Sequence, residues 1–333
     1  MTSADAAPEV RITHIGGPTA LIEIGPWRLL TDPTFDAPGR KYVFAPLISS
    51  RKLTGPVVEP QTLLPIDAVL LSHDHHDDNL DDAGRALLPQ CGRVLTTAPG
   101  AKRLGGEATG LPPWAQTTLE APDRPPIRVT ATPCRHGPPG SRPLVGHVIG
   151  FMLEWEGQRD GALWISGDTV WYSGVAEVGR RFDVGTAIVH FGGVRFPVSG
   201  PLRYTMNAAD GVRVAHELGP RTIVPIHFEG WKHFVEGRDV IEREFAGAGL
   251  TDRLTWLVPG EPAATRAERL AAVVRSLISA IRRLGSRSPA GRSMKTSEKR
   301  LPPASSPSCR MLTGTSTTGS RGSPAGSTPA SRR

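Results

Sequence analysis

Short apolar runs alternate with turn-forming clusters over most of this chain, a rhythm of strands rather than of long helices. Residues 10–15, 20–24 and 28–31 are rich in Val, Ile, Leu and Thr. Gly16-Gly17-Pro18 and Gly25-Pro26 punctuate them, which predicts three strands joined by tight turns. Residues 36–60 contain several prolines and no hydrophobic period, so a long surface loop is expected there. Ala68–Leu71 reads as a short buried strand, and 80–88 as a helix stopped by Pro89. Further strands are expected over 127–132, 145–155, 162–166, 187–190, 222–226 and 254–258, and helices over 208–218 and 239–248. Several of these strands end in polar residues, the arrangement that a pocket at the edge of a sheet needs.

The pattern changes after residue 262. Leu270, Val273, Val274, Leu277, Ile278, Ile281 and Leu284 recur at helical spacing with Arg on the other face, predicting an amphipathic helix over 263–284 that packs on the flank of the body. From residue 285 to 333, Ser, Pro, Gly, Thr and Arg dominate without period, so a disordered basic tail is expected. Residues 1–262 are then the main domain. This division changes the meaning of the net charge of +7. Residues 281–333 hold 11 Arg and Lys against one acid, Glu298, and carry +10. The body is left at −3, and no nucleic-acid partner is expected for it. A binder of nucleic acid or acidic surfaces acting through the tail is one alternative function. No run is long and apolar enough for a membrane span, and residues 1–10 have neither the basic start nor the apolar stretch of a leader. Three dispersed cysteines, Cys91, Cys134 and Cys309, fit neither a disulfide framework nor a thiolate metal site, and a cytoplasmic location is expected.

The candidate chemistry lies in the histidines. Three of the ten fall within residues 73–76, in Ser72-His73-Asp74-His75-His76-Asp77-Asp78-Asn79. Packing accounts poorly for such a cluster directly after an apolar strand, because buried His and Asp are costly to desolvate unless paired or bound to a metal. His136, Asp168 and His227 each follow a predicted strand. Taken singly, each is an ordinary polar residue at a strand end; taken with the cluster, they outline one metal pocket.

The order of these pieces resembles the metallo-β-lactamase superfamily. The pieces are the His/Asp cluster, Thr132-Pro133-Cys134-Arg135-His136-Gly137, Ser166-Gly167-Asp168-Thr169 and Val224-Pro225-Ile226-His227-Phe228. Thr13-His14-Ile15-Gly16 and Leu29-Leu30-Thr31-Asp32-Pro33 add to the likeness. Within the superfamily the branch of ascorbate-6-phosphate lactonase and N-acyl-phosphatidylethanolamine phospholipase D is the most similar. The resemblance spans about residues 10–260. It implies an α+β fold, an αββα four-layer sandwich with the site at one edge between two sheets.

The likeness breaks inside the cluster, where the family pattern is His-x-His-x-Asp-His followed by Leu-Asp. Counted from the left, His73, His75, Asp77 and Asp78 fill it. Counted back from Leu80-Asp81, His76, Asp78 and Asn79 do, with one residue inserted after His73. The second register is preferred, because Leu-Asp begins the helix that fixes these side chains. It implies that His73, His76 and His136 bind one metal, that Asp78 and His227 bind a second, and that Asp168 bridges them. His75 is the ligand in place of His76 in the other register. In either, the final His is replaced, by Asn79 or Asp78, which weakens the second site or favours a harder ion.

One or two zinc ions are expected as cofactor, with manganese as the alternative. The implied activity is metal-dependent hydrolysis of an ester, lactone, amide or phosphodiester bond in a small-molecule substrate by metal-activated hydroxide, with Asp78 and Asp168 as catalytic residues. A degenerate, non-catalytic binding protein of the same fold is the other alternative. Asp32 is a candidate orienting partner for a ligand. Trp171, Tyr172, Trp231 and Phe228 are candidate pocket walls, and Arg195 and Arg203 candidate contacts for an anionic substrate.

Overall fold

The computed structural model describes residues 8–45, 48–158 and 160–264. In chain order these form β1 (Val10–Gly16), β2 (Thr19–Ile24), β3 (Trp27–Thr31), β4 (Lys41–Ala45), β5 (Ile48–Arg51), β6 (Ala68–Leu70), α1 (Asp82–Leu87), β7 (Arg93–Thr97), α2 (Ala98–Leu104) and β8 (Ala108–Leu111). There follow β9 (Gln116–Leu119), β10 (Ile127–Pro133), α3 (Arg142–Val145), β11 (Ile149–Trp155), β12 (Ala162–Ile165), α4 (Ser173–Arg181), β13 (Val184–His190), α5 (Ala208–Glu217), β14 (Thr222–Ile226), α6 (Arg238–Gly247) and β15 (Ala263–Ala264).

Successive side chains of a strand point to opposite faces, so a sheet covered on both sides reads as a continuous apolar run. That is why the runs here do not alternate with polar residues. In β3 and β6, Leu29, Ala68 and Leu70 enter an inner core, whereas Leu30 and Val69 enter an outer one. In β12 to β14, Leu163, Ile165, Ile188 and Val224 point inward, and Trp164, Val189 and Ile223 point outward. One sheet has the order β15-β1-β2-β3-β6-β7-β8 and the other β14-β13-β12-β11-β10-β9. The inner core joins them face to face. Leu80 and Leu87 cover the outer face of the first sheet, with α2 packed on β7 and β8. Val175 and Val178 of α4, Val214 of α5 and Ile241 and Phe245 of α6 cover the second. The fold is the α+β, four-layer αββα sandwich. Each fully buried Leu, Ile or Phe contributes roughly 1.5–3 kcal/mol by leaving water.

Several expectations change. The segment 36–60 is not a plain loop, since β4 and β5 pair as a separate antiparallel hairpin within it. The run 254–258 is not a strand. It touches β14 through a single bridge, Leu254 to Ile223, after which Trp256 turns onto Phe228, with ring centroids 5.3 Å apart. The helix expected over 80–88 is shorter, and Asp81 caps it by accepting from the Gly84 N–H at 2.9 Å. Ala263 and Ala264, expected to begin a helix, pair with β1 instead. The rest of the amphipathic helix and the whole basic tail lie outside the described residues. Among the described residues no helix is long and apolar enough to cross a membrane.

Candidate metal centre

β3, β6 and β7 run parallel in one sheet, and β12, β13 and β14 in the other. Parallel strands bring their C-terminal ends to one edge, and the proposed ligands follow those ends. The cluster 72–79 follows β6, Asp168 follows β12 and His227 follows β14; His136 follows the antiparallel β10. Gly167 makes the turn into Asp168 with φ of 59°, and a Cβ there would lie 2.6 Å from the Ile149 carbonyl oxygen. His227 itself adopts φ of 56°, and its backbone N–H donates to the Gly17 carbonyl at 2.9 Å. A left-handed conformation at a non-glycine residue is a local strain that the surrounding packing must hold.

Two groups of side chains converge. In His73, His76 and His136, and again in Asp78, Asp168 and His227, one ligand atom of each residue lies within 4.8 Å of the others. His76 Nδ1 is 3.2 Å from His73 Nε2 and 3.3 Å from His136 Nε2. His136 donates its Nδ1–H to the Tyr204 carbonyl at 2.8 Å. That bond fixes the tautomer and leaves the Nε2 lone pair facing the group. His227 Nδ1 lies 3.7 Å from Asp168 Oδ1, and its Nε2 3.8 Å from Asp78 Oδ2. His76, Asp78, His136 and Asp168 together form the floor of one cavity.

Electrostatics separates the groups. Burial first, and then the neighbouring imidazoles, push His73 and His76 well below the ordinary histidine range; burial also lowers His136. All three are therefore neutral near pH 7, the form that ligates. Burial alone would raise the Asp78 carboxyl, but the neighbouring His227 imidazole and the hydrogen bond from His233 outweigh it and hold Asp78 well below the usual range. Burial would lower His227, yet Asp168 and Asp78 raise it.

The donors fit a cation. Asp78 Oδ1, Asp168 Oδ1 and His227 Nε2 are buried with no hydrogen-bond partner among the described residues. Buried polar atoms ordinarily have partners, and a divalent ion between these would supply them. The set is nitrogen and oxygen with no thiolate, which suits zinc or a harder divalent ion.

His75 stands outside both groups, its Nε2–H donating to the Val145 carbonyl at 2.5 Å. Asp74 is turned away, into bonds from Arg103 at 2.8 and 2.5 Å. The Leu-Asp pair is an anchor: Leu80 is buried in the outer core, and Asp81 accepts from the backbone N–H groups of Phe35 and Asp36 and from Lys52 Nζ at 2.7–2.9 Å. Asp32 orients a histidine other than the expected ligands. Its Oδ2 accepts from His190 at 3.2 Å, while Oδ1 accepts from the Ser72 N–H at 2.6 Å.

The aromatic walls differ from expectation. Trp171, Tyr172, Trp231 and Phe228 do not line the cavity; Phe44, Phe196 and Tyr204 do. Arg203 pairs with Asp210 at 2.9 Å, and Arg195 is exposed and away from the lining. His233, not among the candidates read from sequence, is buried and donates Nε2–H to Asp78 Oδ2 at 3.0 Å, with Ser50 Oγ 2.5 Å from its Nδ1. The only signal for it in the sequence is its place six residues after His227. Nothing local distinguishes it from any other surface histidine.

The fold agrees with that of known proteins. Residues 27–228 match the family described as the beta-lactamase superfamily domain. A UPF0173 metal-dependent hydrolase of Opitutus terrae is 27% identical over 227 residues, covering 66% of this chain and 85% of that protein. Among solved structures, a possible metal-dependent hydrolase from Veillonella parvula superposes with a TM-score of 0.66 at 20% identity, over 77% of this chain and 100% of the other. An isothiocyanate hydrolase from Delia radicum gut bacteria superposes with 0.65 at 21% identity, over 76% and 98%. With the match spanning strands of both sheets and all six converging residues, the chain belongs to the metallo-β-lactamase superfamily and is a metal-dependent hydrolase of that fold.

Proposed function

We propose that the protein hydrolyses an ester, lactone, amide or phosphodiester bond of a small molecule at a two-metal site. His73, His76 and His136 would hold one ion, Asp78 and His227 the second, and Asp168 would span both. The observation that carries this reading is the convergence of two three-residue groups, each of which contributes two residues to the lining of one cavity. Zinc suits the three imidazoles, and the carboxylate-rich group also accepts manganese. Bound there, such ions supply a water acidified toward neutral pH and a Lewis acid for the substrate oxygen.

The chain's own residues supply placement. Tyr204 orients His136 through its carbonyl, and the relay Ser50–His233–Asp78 fixes one carboxylate. Asp78 is kept ionised, which suits holding a cation better than holding a proton. The ligand role is therefore the stronger half of its assignment, and the base role the weaker.

Elemental analysis of the purified full chain tests this. Near two equivalents of metal, with turnover of an ester or phosphodiester that a chelator abolishes, is the expected result. No metal retained after reconstitution with zinc or manganese would sink it. One observation favours the non-catalytic alternative: Asn79 sits where the family has its fourth cluster ligand, buried, with Oδ1 unpartnered among the described residues. One equivalent of metal and no turnover would select that alternative.

A further inference from the structure

The walls of the cavity carry information that its floor does not. Above the imidazoles and carboxylates, the lining consists of Phe44 and Ile48 from the β4–β5 hairpin, Leu144 and Val145 from α3, and Val194 and Phe196 from the segment after β13. Phe44 and Phe196 meet in a T-shaped contact with centroids 6.0 Å apart, and the Phe44 ring centroid lies 5.6 Å from that of His76. Leu144 lines the cavity and yet is 74% exposed, so the apolar surface continues to the mouth. Two lining residues besides the floor are polar. The Ser141 hydroxyl is engaged by the His136 carbonyl at 3.0 Å. Tyr204 packs its ring against Phe196 with centroids 5.7 Å apart. Among the described residues, no lysine or arginine lines the cavity.

A charged group entering these walls would lose water and find no counter-charge, a cost of several kcal/mol. An apolar group would gain by the same burial, and an aromatic one would gain further from the rings of Phe44 and Phe196. Metal ions on the floor favour negative charge only at the reacting bond, not along the walls.

We propose that the substrate is a small neutral molecule whose apolar or aromatic group packs against Phe44, Phe196 and Leu144 while its scissile bond faces the metal ligands. This rests on the hydrolase reading above and narrows it. Substrates that carry a phosphate or carboxylate on the flank, such as sugar phosphates or nucleotides, are excluded by the lining. An uncharged aryl or alkyl ester or amide fits it.

The test uses the metal-reconstituted full chain with p-nitrophenyl butyrate and p-nitrophenyl hemisuccinate, esters that share a leaving group and differ in the charge of the flank. Expected is a kcat/KM at least about tenfold higher for the butyrate. Leu144→Arg, a change at an exposed position, is expected to narrow or reverse that preference with metal content unchanged. Saturation-transfer NMR on the metal-free chain adds a readout independent of turnover. Benzamide is expected to bind and phenyl phosphate not, with benzamide binding weakened in Leu144→Arg. Preference for the hemisuccinate, or indifference of both readouts to Leu144→Arg, overturns the proposed substrate class while leaving the hydrolase intact. Failure to turn over either ester or bis(p-nitrophenyl) phosphate overturns the hydrolase reading. In that case the NMR arm alone decides whether the cavity selects neutral apolar ligands.

Discussion

His73, His76 and His136 make a group of three imidazoles, and Asp78, Asp168 and His227 a group of two carboxylates and one imidazole; His76, His136, Asp78 and Asp168 of these line one cavity. The first is held by its own neutrality. Burial keeps the rings unprotonated, and one backbone carbonyl fixes a tautomer. The second is held by charge and depends on helpers, since Asp78 relies on His233, which in turn contacts Ser50. On the proposed two-metal reading, the difference teaches that the two ions need not share affinity or identity. A nitrogen-rich group would suit zinc, whereas an oxygen-rich group tuned by outer partners would hold the more exchangeable ion.

The comparison can be broken at its bridge. Asp168→Ala is expected to reduce retained metal from near two equivalents to well under one, with circular dichroism close to the parent. Retention of both ions, by elemental analysis, would show that the groups do not share this residue. His136→Ala, cutting only the imidazole group, is expected to cost about one equivalent and leave the other ion in place. Cooperative loss of both would merge the two groups into one unit. Within the cluster, His76→Ala is expected to remove that same ion, whereas His75→Ala leaves metal content unchanged; the reverse ranking would restore the left-hand register.

The contrast sharpens further out. His233→Ala is expected to weaken the second ion by roughly 10–100-fold, the usual cost of losing an outer partner, while the first ion is unaffected in a chelator titration. If both ions weaken equally, His233 does not act through Asp78. The smallest effect is expected from Asn79→His, which restores the family residue. A modest gain in affinity for the second ion, by about tenfold or less, is expected, and no gain would mean that His233 already fills that role.

Much of the fold was legible because both faces of its sheets are buried. The apolar runs at 20–24, 28–31, 68–71, 162–166 and 222–226 became strands. Their register on two cores follows from the alternation of Leu29 with Leu30 and of Leu163 with Trp164. The hairpin β4–β5 was not legible, because Pro46 interrupts its sequence, its residues follow no clean alternation, and among its described larger side chains only Tyr42 is buried. α4 was hidden by Gly174 and Gly179, poor helix formers that tolerate their place because Val175 and Val178 pack beneath them. In the site, ligand types could be read from strand-end motifs. The walls could not, since Phe44 and Phe196 lie far from every ligand in sequence and look like any exposed aromatic.

The sequence by itself determined which chemistry is available here, because imidazole and carboxylate at the ends of apolar strands have few other uses. It also indicated strands buried on both faces, because their runs are apolar at every position, while the four-layer sandwich itself was implied by the resemblance. Only the tertiary structure decided which histidines converge. His75 and His76 are neighbours in the chain, yet one reaches Val145 and the other the metal group. The direction of a side chain in a turn is set by contacts with residues tens of positions away, and no local pattern encodes them. The same reason hid His233, whose importance arises from touching Asp78, 155 residues earlier in the chain.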